Sequence, residues 1–323
     1  MNFENNSISP IKGDASFRKF YRKKTRNSST IIVYAKKEKE KNLLNYDSIN
    51  KILNKKKISA PKLISENYSN NFIEVEDFGN NTIFNIIKKT NINKLKIYKK
   101  IFLILIKLQN INLRKIKNFN KKIYKIPNYS HRIIFQEAKL FLDWYIPQVI
   151  KKNKRHKIKK DLKKIIDLLI SEIQLPNSTF VHRDFHVSNL MIKKNKISLI
   201  DTQDAVYGNI AYDLASLIDD VRLKTSNNFK KNVYENYINL NKKKVNKVKF
   251  KNDFEILSVL RNLKIIGIFT RLAIRDNKKK YLKLIPHAWK LIEYRINNNN
   301  LFTELKKKLD ISFPTKIRKK NES

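Results

Sequence analysis

His182-Arg183-Asp184-Phe185-His186-Val187-Ser188-Asn189, followed twelve residues later by Asp201, is the stretch on which the reading of this chain turns. Its order, H-R-D-x-x-x-x-N and then D, is the set that phosphoryl transfer from a metal-bound nucleotide requires. One carboxylate, Asp184, is suited to orient and deprotonate an attacking hydroxyl. The amide oxygen of Asn189 and the carboxylate of Asp201 are suited to hold Mg²⁺ on the phosphates. The flanking residues give this set a shape. Leu190–Lys193 and residues 197–200 are short apolar runs separated by Lys194-Asn195-Lys196, which reads as a β-hairpin with a three-residue loop. Pairing Lys193 with Ile197 also pairs Asn189 with Asp201, and directly opposed residues have Cβ atoms roughly 4.5–5.5 Å apart. Both oxygen ligands then reach one metal region, with Asp184 on the loop that enters the hairpin. An ordinary hairpin flanked by polar residues has no reason to carry Asn and Asp at these two offsets together.

The bulk composition sets bounds. The chain has 323 residues, 41% of them hydrophobic, which suits one large or two modest domains with a buried core. It has no Cys, which excludes disulfides and thiolate metal sites. Residues 1–12 show no apolar signal-peptide core, and the longest clean apolar run, 101–106, is far short of a membrane span. A cytoplasmic protein with no membrane partner is expected. The formal net charge is +43, from 71 Lys and Arg against 28 Asp and Glu. A basic nucleic-acid-binding protein is the alternative class that this charge raises. The lysines are spread along the chain, with Lys, Asn and Ile abundant throughout, and no basic block carries the interleaved aromatics that stack bases. The charge is therefore read as compositional, with no specific nucleic-acid partner.

Strand-like runs at 17–21, 30–35 and 72–75 and a helical pattern at 41–55 fill the first 79 residues. Beyond residue 80 the apolar spacing is mostly helical, at 83–88, 94–109, 132–146, 158–173, 211–222, 233–239 and 253–274. The expected fold class is α+β, with a small β-rich N-terminal lobe and a larger, mostly helical C-terminal lobe. The division is expected at 1–79, nucleotide binding, and 80–323, catalysis and substrate, with a hinge at about 74–79.

Other segments fit this plan. Gly13-Asp14-Ala15-Ser16-Phe17-Arg18 leads from turn residues into a strand, so Ser16, backbone N–H groups and Arg18 are candidates for phosphate contact. Glu74-Val75-Glu76-Asp77-Phe78-Gly79 reads as the inter-lobe connector, whose backbone near Glu76 is suited to hydrogen-bond a nucleotide base. Lys36 and Lys37 end a strand run near Glu38 and Glu40, but which lysine meets the phosphates stays open. His182 and Asp213 are expected as structural support, Asp213 in a helical first turn beside the catalytic loop. Lys264, Arg271 and Arg275 share one helix face, with Arg271 and Arg275 as candidates for an anionic substrate group.

The segments GDASFRKFY (13–21), EVEDFG (74–79), FVHRDFHVSNLMI (180–192), LIDTQDAVYGNIAYDLASLIDD (199–220) and RNLKIIGIFTRLAIRD (261–276) resemble, in order, those of the aminoglycoside phosphotransferase and choline kinase superfamily. The 201–208 and 261–269 segments narrow the resemblance to the bacterial anomeric kinases of N-acetylmuramate and N-acetylglucosamine. The resemblance implies a two-lobe protein-kinase-like fold, ATP and Mg²⁺ as cofactors, and phosphorylation of the C1 hydroxyl of a small-molecule amino sugar. The product is then a sugar 1-phosphate used in cell-wall recycling. Asp184 takes the place of the catalytic base, and Asn189 and Asp201 those of the metal ligands. Thr202 stands where Phe is usual after the metal aspartate, and Val33-Tyr34-Ala35-Lys36-Lys37 lacks the usual aspartate and prolines.

Overall fold

The computed structural model describes residues 7–11, 18–36, 42–89, 92–193, 195–241 and 245–320. The chain forms two compact units, Met1–Pro127 with Thr179–Tyr207, and Asn128–Ser178 with Gly208–Ser323. In the first unit, β1 (Ile8–Ile11), β2 (Lys19–Lys24), β3 (Ser29–Tyr34), β4 (Leu63–Asn67) and β5 (Phe72–Glu76) form an antiparallel sheet in the order β1-β2-β3-β5-β4. Helix α1 (Asn42–Lys55) lays Leu43 and Tyr46 into a core with Val33, Ala35, Ile73 and Val75. Alternation along β5 explains the packing: Ile73 and Val75 are buried while Glu74 and Glu76 are half-buried on the other face. Strands β1 and β4 were not legible in the pattern. Pro10 confines β1 to an edge, and Ser65-Glu66-Asn67 gives β4 a polar end suited to the opposite edge.

The unit continues with α2 (Ile83–Lys89), α3 (Lys94–Gln109), and a small hairpin of β6 (Lys115–Lys117) and β7 (Ile123–Lys125). After the chain returns come β8 (Thr179–Val181), the catalytic hairpin β9 (Leu190–Lys193) and β10 (Lys196–Leu199), and β11 (Val206–Gly208). Helix α2 packs on β9, and α3 packs on β8 and β10. The lobe boundary expected near residue 79 falls inside this unit for that reason. The hairpin pairs Lys196 with Lys193 and Leu199 with Leu190. Its register differs by one residue from the expected one, and only residues 194 and 195 lie between the strands. Asn195, at φ +59°, supplies the left-handed residue that two-residue hairpin turns use. Asn189 therefore faces Ile200, whose N–H donates to its carbonyl (3.1 Å), and Asp201 lies one step further on.

The second unit is helical. It comprises α4 (His131–Leu140), a π-helical turn (Phe141–Tyr145), α5 (Ile146–Val149), α6 (Lys152–Ser171), α7 (Tyr212–Ile218), α8 (Asn227–Leu240), α9 (Lys247–Arg275), α10 (Ile285–Ile296), α11 (Thr303–Ser312) and α12 (Thr315–Arg318). Helix α9 is its axis and packs on α4, α7, α10 and the π-helical turn. Buried Asp253 on α9 accepts the backbone N–H groups of Gln174 (2.8 Å) and Leu175 (2.7 Å) and the Asn209 amide (2.7 Å). The sheet in the N-terminal region and the helices of the C-terminal part give the α+β class expected. No described helix is long and apolar enough to cross a membrane.

Candidate active site

β8 delivers the chain to a loop closed on itself. Buried His182 donates from Nε2 to the Ile200 carbonyl (3.1 Å), which ties the start of the loop to the residue before Asp201. Arg183 adopts φ +73° and donates from Nη1 to the Asp204 carbonyl (3.2 Å). Such a backbone costs about 1–3 kcal/mol and persists where its surroundings over-determine it. The Asp184 carbonyl accepts the His186 N–H (3.0 Å) and the Asn189 Nδ2 (3.0 Å). That second bond orients the Asn189 amide: its NH₂ is spent on the loop, and its Oδ1 is the acceptor left for a cation. Asp201, at φ +61°, is of the residue type that tolerates this region. Its Oδ1 accepts Arg18 Nη2 (2.6 Å) and Gln203 Nε2 (3.2 Å), and the Arg18 side chain is only 4% exposed.

The connector after β5 is clamped by a residue that the sequence did not single out. Arg22 on β2 donates to both Asp77 carboxylate oxygens (2.6 and 3.1 Å), to Asn80 Oδ1 (2.8 Å) and to the Gly79 carbonyl (3.0 Å). The Gly79 N–H also donates to Asp77 (2.7 Å), and Gly79 takes φ +79°, which favours glycine. Burial pushes the Asp77 carboxyl up, but the bonds from Arg22, the Gly79 N–H and Ser29 outweigh it and hold it below its ordinary value. From the hairpin side, Lys193 Nζ donates to Glu76 Oε1 (2.7 Å) and the Asp77 carbonyl (3.0 Å). In a chain this rich in lysine and arginine, neither Arg22 nor Lys193 carried a signal.

The first unit thus brings Arg18, His182, Asp184, Asn189 and Asp201 together. Glu76 ends β5 just before the clamped connector, with its side chain on Lys193 and its N–H donating to the Lys62 carbonyl (2.9 Å). Ser16, with the rest of the turn 13–17, and Lys37, Glu38 and Glu40 lie outside the described residues. Lys36 is exposed. Asp204 accepts Gln203 Nε2 (2.7 Å), as a loop brace does. In the second unit, Asp213 is buried in the first turn of α7. On α9, Lys264 pairs with Glu137 (2.8 Å), and Arg275 donates twice to Asp276 (2.8 and 2.9 Å). Arg271 is different. Its Nε is buried without a hydrogen-bond partner among the described residues. Burial and the neighbouring Arg275 lower its pKa from the ordinary value, while Asp276 opposes them.

The described residues contain no cluster of three or more His, Asp or Glu side chains able to hold a metal. Mg²⁺ does not need one, because it keeps several waters and binds through one or two carboxylates and the substrate's phosphates. Asn189 and Asp201, both hard oxygen donors, fit that requirement.

The chain belongs to the phosphotransferase enzyme family, whose sequence model matches residues 7–243. It is 25% identical over 314 residues to the N-acetylmuramate/N-acetylglucosamine kinase of Pseudomonas aeruginosa, covering 92% of this chain and 86% of the relative. It is 26% identical over 278 residues to the protein of the same name from Neisseria meningitidis serogroup B, covering 84% and 80%. Among solved structures, it is similar to a thermostable mutant of aminoglycoside phosphotransferase APH(4)-Ia in ternary complex with AMP-PNP and hygromycin B. The TM-score is 0.61 at 9% identity, over 90% of this chain and 95% of that one. A choline/ethanolamine kinase family protein from Mesorhizobium loti matches with a TM-score of 0.62 at 9% identity, over 96% and 94%. At those identities the structures establish the kinase-like fold.

Proposed function

We propose that the protein transfers the γ-phosphoryl group of ATP to the anomeric C1 hydroxyl of N-acetylmuramate, N-acetylglucosamine or both, in the cytoplasm, giving a sugar 1-phosphate for cell-wall recycling. The observation that carries the reading is the closed loop in which Asn189 is fastened to the Asp184 carbonyl and followed by Asp201. The sugar rests on the names of the curated relatives. In this reading, residues 1–79 hold the nucleotide and 80–323 supply the chemistry and the acceptor site. Asp184 accepts the proton of the C1 hydroxyl as its oxygen bonds to the γ-phosphorus. The bond from that phosphorus to the bridging oxygen breaks, and ADP leaves. Asn189 and Asp201 hold Mg²⁺. When bound, the ion neutralises charge on the phosphates. Arg18, beside Asp201, adds positive charge there, and Ser16 contacts phosphate. The connector near Glu76 takes the base, His182 braces the loop, and Asp213 serves as structural support.

The test is phosphorus NMR of ATP and Mg²⁺ with N-acetylmuramate, N-acetylglucosamine, choline and an aminoglycoside in separate reactions. A new anomeric phosphate signal is expected with an amino sugar. A 6-phosphate, turnover of choline or the aminoglycoside alone, or no product overturns the proposal.

Choice between the sugars is assigned to α9. N-acetylmuramate carries a lactyl carboxylate that N-acetylglucosamine lacks, and a guanidinium can grip a carboxylate through two parallel bonds. Both Arg271 and Arg275 remain candidates, but the Arg275 fork is already occupied by Asp276, so Arg271 is the stronger one. Arg271→Ala is expected to raise KM for N-acetylmuramate about tenfold, the worth of roughly 1.4 kcal/mol of ground-state binding, and to spare N-acetylglucosamine. Steady-state kinetics on both sugars decides, and equal effects would assign Arg271 to packing.

A further inference from the structure

The metal aspartate is approached by a helix whose side chains no part of the reaction yet uses. Thr202, the residue after Asp201, is fully buried, and its Oγ1 donates to Asn50 Oδ1 on α1 at 2.6 Å. Asn50 is 3% exposed, and its Nδ2 donates to the Pro61 carbonyl (2.9 Å), which fixes the amide so that Oδ1 faces Thr202. One helical turn earlier, buried Tyr46 hydrogen-bonds the Asn50 side chain and lies in the fields of Arg18 and Asp201. Burial pushes its phenol up to about 12, so it stays protonated and neutral at physiological pH. Asp201 itself is in the left-handed region, where a side chain's direction depends on what holds the backbone. Arg18 and Gln203 both fall on Oδ1, which leaves Oδ2 as the oxygen for a cation.

We propose that Asn50 is a positioning residue for Asp201: through the Thr202 hydroxyl it fixes the backbone from which the carboxylate reaches the metal, so that α1 sets metal affinity. The inference rests on Asp201 being a metal ligand. It also gives the departure at position 202 a physical account, since a hydroxyl there donates to a buried acceptor and a phenyl ring has no donor to offer it. The coupling is between neutral groups, so salt should not weaken it as it would an exposed ion pair.

The test uses the full chain with AMP-PNP and follows Mn²⁺ binding by electron paramagnetic resonance, beside the Mg²⁺ dependence of turnover. Thr202→Val keeps the shape and removes the donor. It is expected to weaken Mn²⁺ binding about tenfold or more, the scale seen when the group behind a metal ligand is lost. Thr202→Ser should restore binding to within about twofold, because the hydroxyl remains. Asn50→Ala removes the acceptor from the other side and should give the same shift. Thr202→Val with Asn50→Ala should cost no more than either alone, as a shared contact requires. Thermal unfolding of each variant separates a loss of fold from a loss of affinity, and either single variant that folds suffices for the comparison. Wild-type Mn²⁺ affinity in folded Thr202→Val or Asn50→Ala, or additive losses in the double variant, overturns the proposal. Asp201→Ala is the control. If it binds Mn²⁺ as the wild type does, the metal-ligand reading falls and the inference falls with it.

Discussion

Asp184→Asn is expected to lower kcat by about 10²–10⁴-fold, the usual loss when a general base is removed. AMP-PNP affinity and the KM for ATP should stay close to wild type. The carboxamide matches the carboxylate in shape and cannot take a proton from a sugar hydroxyl near neutral pH. The closure of the loop runs through the Asp184 carbonyl, which accepts the His186 N–H and the Asn189 amide. A side-chain change of this size leaves that closure in place, and with it the orientation of Asn189. A loss confined to kcat is the signature of an interaction made in the transition state. Steady-state kinetics with calorimetric titration of AMP-PNP checks both halves. A near-normal kcat would remove Asp184 from the role of base, and a parallel collapse of nucleotide affinity would make it a structural residue of the loop.

What was legible in the sequence follows the range of the interactions involved. The order of Asp184, Asn189 and Asp201 is local, so the loop and hairpin were readable from spacing alone. The register was missed by one residue because Lys196 is as polar as a loop residue, and only the backbone of Asn195, at φ +59°, shows that the turn closes earlier. The sheet order β1-β2-β3-β5-β4, with its crossover, was beyond the pattern, since alternation identifies a strand's faces but not its neighbours. Arg22 reaches Asp77 across 55 positions, and Thr202 reaches Asn50 across 152. No periodicity connects residues that far apart. Thr202 was visible only as an oddity after the metal aspartate, and its meaning depended on what α1 presents to it. On α9 the shared face of Lys264, Arg271 and Arg275 was readable from helical spacing. That Lys264 already had a carboxylate partner was not, because Glu137 belongs to a different helix.

Gly267→Ala should be strongly destabilising, although alanine is the better helix former. A Cβ built on Gly267 would lie 2.3 Å from the Leu140 carbonyl carbon, 2.5 Å from its oxygen and 2.5 Å from the Phe141 nitrogen. All three are backbone atoms at the junction of α4 with the π-helical turn, so no side-chain rotation relieves the contact. The gain from replacing a mid-helix glycine is at most about 1 kcal/mol. Overpacking a tight site costs about 1–3 kcal/mol and occasionally more. Backbone on both sides of the contact puts this site at the upper end, so the clash wins by about 2 kcal/mol. Relief would need α9 to withdraw from α4 along its buried face, where Leu263, Ile266 and Thr270 are packed. The measurable outcome is a lower midpoint in urea with an unchanged slope, and a larger drop for Gly267→Val than for Gly267→Ala. Equal or greater stability of the alanine variant would show that the two backbones part at little cost, and that glycine is not required where these helices cross.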